Sequence, residues 1–145
     1  MAGEFTLRII TPERIALDTR VESVRLPGAD GALGILPRHA PMAALIAVGE
    51  LAYVESGVRK KVFVSAGFAE VRDNTVRVVC EAGELPEEID GTRAREAEKR
   101  ARERLSRKGQ TTMSSDEAID FLRAEEALRR AVMRLNVRTG VAERS

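Results

Sequence analysis

Pro86-Glu87-Glu88 divides this chain of 145 residues into two halves with different grammar. All five prolines (Pro12, Pro27, Pro37, Pro41 and Pro86) precede residue 87, and eight of the eleven glycines fall at or before Gly83. Turn-forming residues spaced this closely cut a chain into short strands, and their absence permits long helices. Charge changes at the same place. Residues 1–88 carry 10 basic and 13 acidic side chains, net −3, whereas residues 89–145 carry 14 and 10, net +4. The expected fold is α+β in two domains: an N-terminal antiparallel β-sandwich over 1–88, then a C-terminal antiparallel α-helical hairpin over 89–145.

Upstream of the boundary, apolar residues follow the period of half-buried strands. Phe5, Leu7 and Ile9 alternate with Thr6 and Arg8, and Val24 and Leu26 alternate with Ser23 and Arg25. Gly28-Ala29-Asp30-Gly31 supplies a turn, Ser56-Gly57 separates Tyr53 from Val58, and Asp73-Asn74 separates Val71 from Val76. The last of these reads as a tight hairpin. Val62-Phe63-Val64 is a short apolar run without alternation. Roughly eight or more short strands in this half suit a sandwich built as an antiparallel meander.

Downstream, two helices are expected, over about 90–107 and 116–138. Ala94, Ala97, Ala101 and Leu105 recur at spacings of 3, 4 and 4, a narrow stripe of mostly small residues. Lys108-Gly109-Gln110 ends the first helix, and Ser114 with Glu117 resembles a capping box opening the second. Phe121, Ala124, Leu128, Ala131 and Leu135 then form a heptad seam. A small stripe facing a larger one suits close antiparallel packing. So polar a hairpin buries little by itself, and it is expected to be mobile unless it docks on another surface.

Composition excludes several classes. Hydrophobic residues make up 43% of the chain, enough for a core, so disorder is not expected. Lys plus Arg total 24 against 23 acidic residues, which argues against a globally basic nucleic-acid binder. A single cysteine cannot form an internal disulfide, and one cysteine with one histidine is too few for a structural zinc site. No apolar run approaches the roughly 20 residues that span a bilayer. Met1 to Thr6 lacks the basic and apolar regions of a signal peptide, so a cytosolic, soluble chain is expected.

No active site assembles from what remains. His39 lies in the Pro-bounded Leu36-Pro37-Arg38-His39-Ala40-Pro41 segment with no acid and nucleophile nearby in sequence. Cys80 follows Val78-Val79, the setting of a small buried hydrophobe. Gly31-Ala32-Leu33-Gly34 is not followed by the Lys-Ser/Thr of a phosphate loop.

The arginines read two ways. Arg93 and Arg100 share one face of the first helix, and Arg123, Arg130 and Arg134 recur at i, i+7 and i+11 on the second. One reading is a solvated face with intrahelical pairs such as Glu96–Arg100. The other is recognition of an anion, either an acidic partner segment or a nucleotide triphosphate, because forked guanidinium donors match carboxylate and phosphate oxygens.

Several segments resemble one family. Gly31-Ala32-Leu33-Gly34-Ile35-Leu36-Pro37-Arg38-His39-Ala40-Pro41 resembles the G-x-L-G-I-L-P-x-H-x-P segment of bacterial F-type ATP synthase epsilon subunits. Val64-Ser65-Ala66-Gly67-Phe68-Ala69-Glu70-Val71 is similar to their V-S-G-G-F-x-E-V strand. Ile89-Asp90-Gly91-Thr92-Arg93-Ala94 matches their I/L-D-x-x-R-A nucleotide motif, and Ile119 to Glu125 with Leu128 to Ala131 resembles their last helix. The resemblance covers roughly residues 4–138. Three positions depart from it: Ala32 replaces a common glutamate, Arg38 stands where glycine is usual, and Ser106 to Ala118 is longer than the usual inter-helix turn.

The resemblance implies a non-catalytic central-stalk subunit, peripheral on the cytoplasmic face of the bacterial plasma membrane. It would couple rotation to ATP synthesis and inhibit ATP hydrolysis through a mobile hairpin. It places the gamma subunit and the c-ring against the sandwich, with Gly31, Ala32, Leu33, Arg38 and His39 at that contact. Arg100, Arg107, Lys108, Arg123 and Arg129 are expected to reach the alpha/beta catalytic head, where beta presents an acidic segment. No cofactor is required. ATP is the expected regulatory ligand, at Ile89, Asp90, Arg93 and Ala94 with Glu84, Arg130 and Arg134 as neighbours. The alternative is a nucleic-acid- or protein-binding hairpin on a sandwich, although 10 acidic residues in the basic half and few aromatics weigh against nucleic acid.

Overall fold

The computed structural model describes residues 3–106 and 114–140 and the backbone of 143–144. Ten strands precede the helices: β1 (Phe5–Ile10), β2 (Ile15–Val21), β3 (Ser23–Leu26), β4 (Leu33–Ile35), β5 (Met42–Ile46), β6 (Gly49–Glu55), β7 (Val58–Val64), β8 (Gly67–Arg72), β9 (Thr75–Cys80) and β10 (Gly83–Glu84). A 3-10 turn at Pro86–Glu88 leads into α1 (Gly91–Ser106), then come α2 (Ser115–Thr139) and β11 (Glu143–Arg144). One sheet runs β2-β1-β9-β8-β5 and the other β10-β7-β6-β3-β4, with β11 added beside β7. The two sheets close over Phe5, Leu7, Ile9, Val24, Leu26, Leu51, Val62, Val64, Val76 and Val78, all at 3% exposure or less. These are the inward positions of alternating strands.

The expected hairpin turns form where two adjacent residues tolerate left-handed backbone. Ser56 and Gly57 have φ of 51° and 75°, and Asp73 and Asn74 have 49° and 55°. Two consecutive positive values in a two-residue loop match the right-handed twist of the flanking strands. Asn74 also ties three segments together. Its Oδ1 accepts from the Arg38 amide at 2.9 Å, its Nδ2 donates to the Glu4 carbonyl at 3.0 Å, and its own carbonyl accepts from the Thr6 amide at 3.1 Å.

The sandwich is not a simple meander. β1 pairs antiparallel with β2 on one side and parallel with β9 on the other, Leu7 opposite Val76 and Ile9 opposite Val78. Alternation sets which face of a strand is buried and says nothing about its neighbour. The first and last long strands therefore meet in the centre of one sheet.

The Val62-Phe63-Val64 run lacks alternation because β7 is buried on both faces. Val62 and Val64 face the sandwich core, while Phe63 faces outward into a second cluster with Ile89 and Val137, flanked by Val48, Ala82 and Met133. The hairpin thus lies on the outer side of the β7-containing sheet. Between the helices, Ala94 and Ala101 of α1 and Ala124 and Ala131 of α2 are all buried. The Ser114–Glu117 capping box is in place, at 3.2 Å from the Glu117 amide to Ser114 Oγ and 2.8 Å from the Ser114 amide to Glu117 Oε2.

Candidate functional site

Antiparallel folding of the hairpin brings the start of α1 beside the late part of α2, against β10. A cleft of about 410 Å³ opens there, lined by Glu84 and Glu88 from the linker side, Asp90, Arg93, Ala94 and Arg100 from α1, and Arg130 and Arg134 from α2. Ala97, Ala127 and Ala131 supply the floor, and their small side chains create the space. The volume lies within the range of ordinary small-molecule sites. Of the seven residues that the family resemblance groups together, Glu84, Asp90, Arg93, Ala94, Arg130 and Arg134 line it.

Four guanidinium groups face three carboxylates in this cleft, and each carboxylate already has one partner. Arg134 Nε bonds Glu84 Oε2 at 2.6 Å while its guanidinium stacks 4.5 Å from the Phe63 ring centroid. Glu88 is held by Arg14, from the β1–β2 connection, at 2.6 Å. Asp90 caps α1, its Oδ1 accepting from the Arg93 amide at 3.1 Å. Arg130 makes a loose 4.0 Å pair with Glu126, and Arg93 and Arg100 form no ion pair among the described residues. The expected Glu96–Arg100 pair is likewise absent among the described residues; Glu98–Arg102, Asp120–Arg123 and Glu126–Arg130 form instead. Arg93, Arg100 and Arg130 are therefore the cleft groups whose forked donors are best placed to meet an anion.

Two candidates sit elsewhere than the sequence suggests. Ile89 does not line the cleft, because its side chain fills the second core at 5% exposure and its carbonyl accepts from Arg138 Nε at 3.1 Å. Arg100, expected to reach the catalytic head, points into the cleft with Arg93. Seven residues is about two helical turns, so both share a face. Arg123 is exposed beside Asp120, and Arg129 borders a separate hollow between the hairpin and the β7–β8 turn. Arg107 and Lys108 lie outside the described residues.

The 31–41 segment crosses the end of the sandwich. Gly31 takes φ of +125°, Ala32 is exposed and Leu33 opens β4 opposite Leu26. The His39 amide closes a turn onto the Leu36 carbonyl at 3.2 Å, with Pro37 second and Arg38 third at φ +62°. That is the arrangement of a type II turn, whose third position favours glycine. The resemblance expects glycine there, and in this chain the Arg38 amide is secured by Asn74 instead. His39 Nδ1 lies 2.7 Å from the Ala40 carbonyl, a local structural contact. Burial pushes the Cys80 thiol pKa up, away from the range of a reactive thiolate.

Arg14 fastens the linker to the sandwich, also donating Nη2 to the Gly83 carbonyl at 3.0 Å. Its hydrogen bond holds the Glu88 carboxyl below the usual range, partial burial opposes it, and the Leu85 amide adds to it. A carboxyl lowered by folding stabilises the fold above its ordinary value of 4.5, and that stability is lost as pH falls through the lower folded value. Glu88→Gln therefore lowers the thermal midpoint relative to the parent chain at about pH 7, and the two midpoints converge once the pH has fallen below the lowered folded value. A difference that persists in acid would contradict this role of the pair.

The molecule is thus a β-sandwich carrying a helical hairpin, with a cleft lined by arginines and carboxylates where the hairpin meets β10. Comparison with known proteins places it further. The beta-sandwich domain model of the ATP synthase delta/epsilon chain matches residues 4–86, and the long alpha-helix domain model of the same chain matches 87–138. The ATP synthase epsilon chain of Desulfitobacterium hafniense strain Y51 is 43% identical over 136 residues, covering 94% of this chain and 97% of the relative. That of Symbiobacterium thermophilum is 47% identical, covering 92% and 91%. Among solved structures, a chain of the Euglena gracilis mitochondrial ATP synthase is similar at a TM-score of 0.72 and 24% identity, over 91% of this chain and 79% of that one, a likeness of fold. The chain belongs to the epsilon-chain family of the F-type ATP synthases, as a non-catalytic subunit. No described helix is long and apolar enough to cross a membrane.

Proposed function

We propose that the chain is a rotor-stalk subunit whose sandwich docks on the gamma subunit and the c-ring and whose hairpin is a nucleotide-sensitive inhibitor of ATP hydrolysis. The assembly sits on the cytoplasmic face of the bacterial plasma membrane. The observation that carries the regulatory part is the cleft itself, because its anion-facing arginines come from both helices. A nucleotide held by Arg93, Arg100 and Arg130 grips the compact hairpin and has no equivalent partner set once the helices separate, so it selects the compact state. The second oxygen of Asp90, not used by the cap, is available to a ribose or base donor.

Docking has its own support. Leu45, Phe68, Val79, Ile10 and Ile15 are register partners across the outer face of the first sheet, and partners in register share a face. Leu45, Phe68 and Ile15 are 71%, 48% and 57% exposed, and the hairpin covers the other sheet. The next row, Glu70, Arg77, Arg8 and Asp18, is charged. An apolar row rimmed by charge on a family of stalk subunits suits a permanent partner surface. A Leu45→Glu/Phe68→Glu chain should fold unchanged yet fail to join gamma, measured by co-purification with the assembled enzyme. Normal incorporation would move the stalk contact elsewhere.

A further inference from the structure

We propose that Val137, Arg138 and the C-terminal strand form a clamp, seated on Gly91, that keeps the hairpin of the free subunit compact when the nucleotide cleft is empty and that contacts in the assembled enzyme must overcome. This rests on the reading of the hairpin as mobile. None of its residues lines the cleft, so the clamp and the nucleotide act on the same equilibrium from separate places.

Three contacts follow one another from the end of α2 along β7. Val137 is fully buried against Phe63 and Ile89. Arg138 Nε donates to the Ile89 carbonyl, the last peptide before the α1 cap. β11 pairs antiparallel with the start of β7, Glu143 opposite Arg59 and Arg144 opposite Val58, whereas β10 pairs with its end. Gly91 makes room for the second contact. It is buried at the first position of α1, and a Cβ there would come within 2.8 Å of Arg138 Cζ and closer still to Nη1. Glycine is a poor helix former, so its place here is not explained by α1. It is explained by the guanidinium lying over it.

That contact gives a clean test, because the atoms a new methyl would meet are the far end of a flexible side chain. Gly91→Ala displaces the Arg138 guanidinium without disturbing the core, while helix propensity alone predicts a tighter hairpin. Amide hydrogen exchange on the full chain without nucleotide reads the outcome. The clamp predicts roughly tenfold faster exchange in α2 for Gly91→Ala, and again for a chain ending at Gly140, with β1, β8 and β9 unchanged. In an Arg138→Ala background, Gly91→Ala should have no further effect. Unchanged or slower α2 exchange, or full additivity with Arg138→Ala, overturns the clamp while leaving the mobile hairpin intact. If α2 opens only together with the sandwich in every variant, both the clamp and the mobile hairpin fail.

Discussion

A chain lacking residues 89–145 assembles normally into the stalk, and the resulting enzyme hydrolyses ATP about five- to tenfold faster than one carrying the full chain, the gain expected if the inhibitory state dominates by that ratio. The sandwich keeps its main core cluster without the hairpin, and Phe63, with Val48 and Ala82 beside it, loses its cover. Leaving the compact state is costly for the hairpin. Exposing Val137 alone forfeits about 1.5–2 kcal/mol of apolar burial, and the Arg134–Glu84 pair is lost as well. Contacts in the catalytic head must offset that. The hairpin half carries net +4, and exposed ion pairs contribute about 0–1 kcal/mol each, so several must act together and rising salt should relieve the inhibition. Unchanged hydrolysis after deletion would remove the inhibitory role. Failure to assemble would make the hairpin the anchor.

Arg93→Ala and Arg130→Ala each weaken ATP binding to the isolated subunit at least about tenfold, whereas Arg123→Ala leaves it unchanged. A hydrogen bond to a charged group contributes about 1.5–3 kcal/mol, and 1.4 kcal/mol is a factor of ten. Arg93 forms no ion pair among the described residues, and Arg130 holds Glu126 only at 4.0 Å, so both are available to phosphate. Arg134 is a poorer probe, because its removal leaves Glu84 unpaired beside the cleft. Arg123 is exposed beside Asp120 and reaches nothing in the cleft, which makes it the control for general loss of positive charge. Titration calorimetry measures all three. Equal binding by the Arg93 and Arg130 variants, or none by the parent chain at millimolar ATP, would leave these arginines as a surface for the head.

Much of this arrangement was legible in the sequence where local chemistry decides the outcome. Asp73-Asn74 and Ser56-Gly57 announce their hairpins because few residue pairs accept two left-handed positions in succession. Ser114 and Glu117 fix the start of α2 for the same kind of reason. What depends on neighbours was hidden. The parallel pairing of β1 with β9 leaves no trace in either strand's alternation. Val137 was missed because the seam from Phe121 to Leu135 faces α1, while Val137 belongs to a second stripe with Met133 that faces Phe63. The signal was available: a β-strand run without alternation needs cover on both sides, and α2 has apolar residues beyond one seam. Ile89 shows the limit of motif reading, since the motif named the residue and the fold put its side chain in the core.

The central claim is that one hairpin alternates between a compact, ATP-selected state and an extended, inhibitory one. Spin labels at the exposed positions Arg72 and Leu122, in the enzyme assembled with the full chain, report it by pulsed dipolar distance measurement. The account predicts one narrow distance, that of the compact hairpin, at saturating ATP and a distinctly different one, coincident with inhibited hydrolysis, when ATP is depleted. The compact-state distance under both conditions, with hydrolysis inhibited all the same, would contradict it.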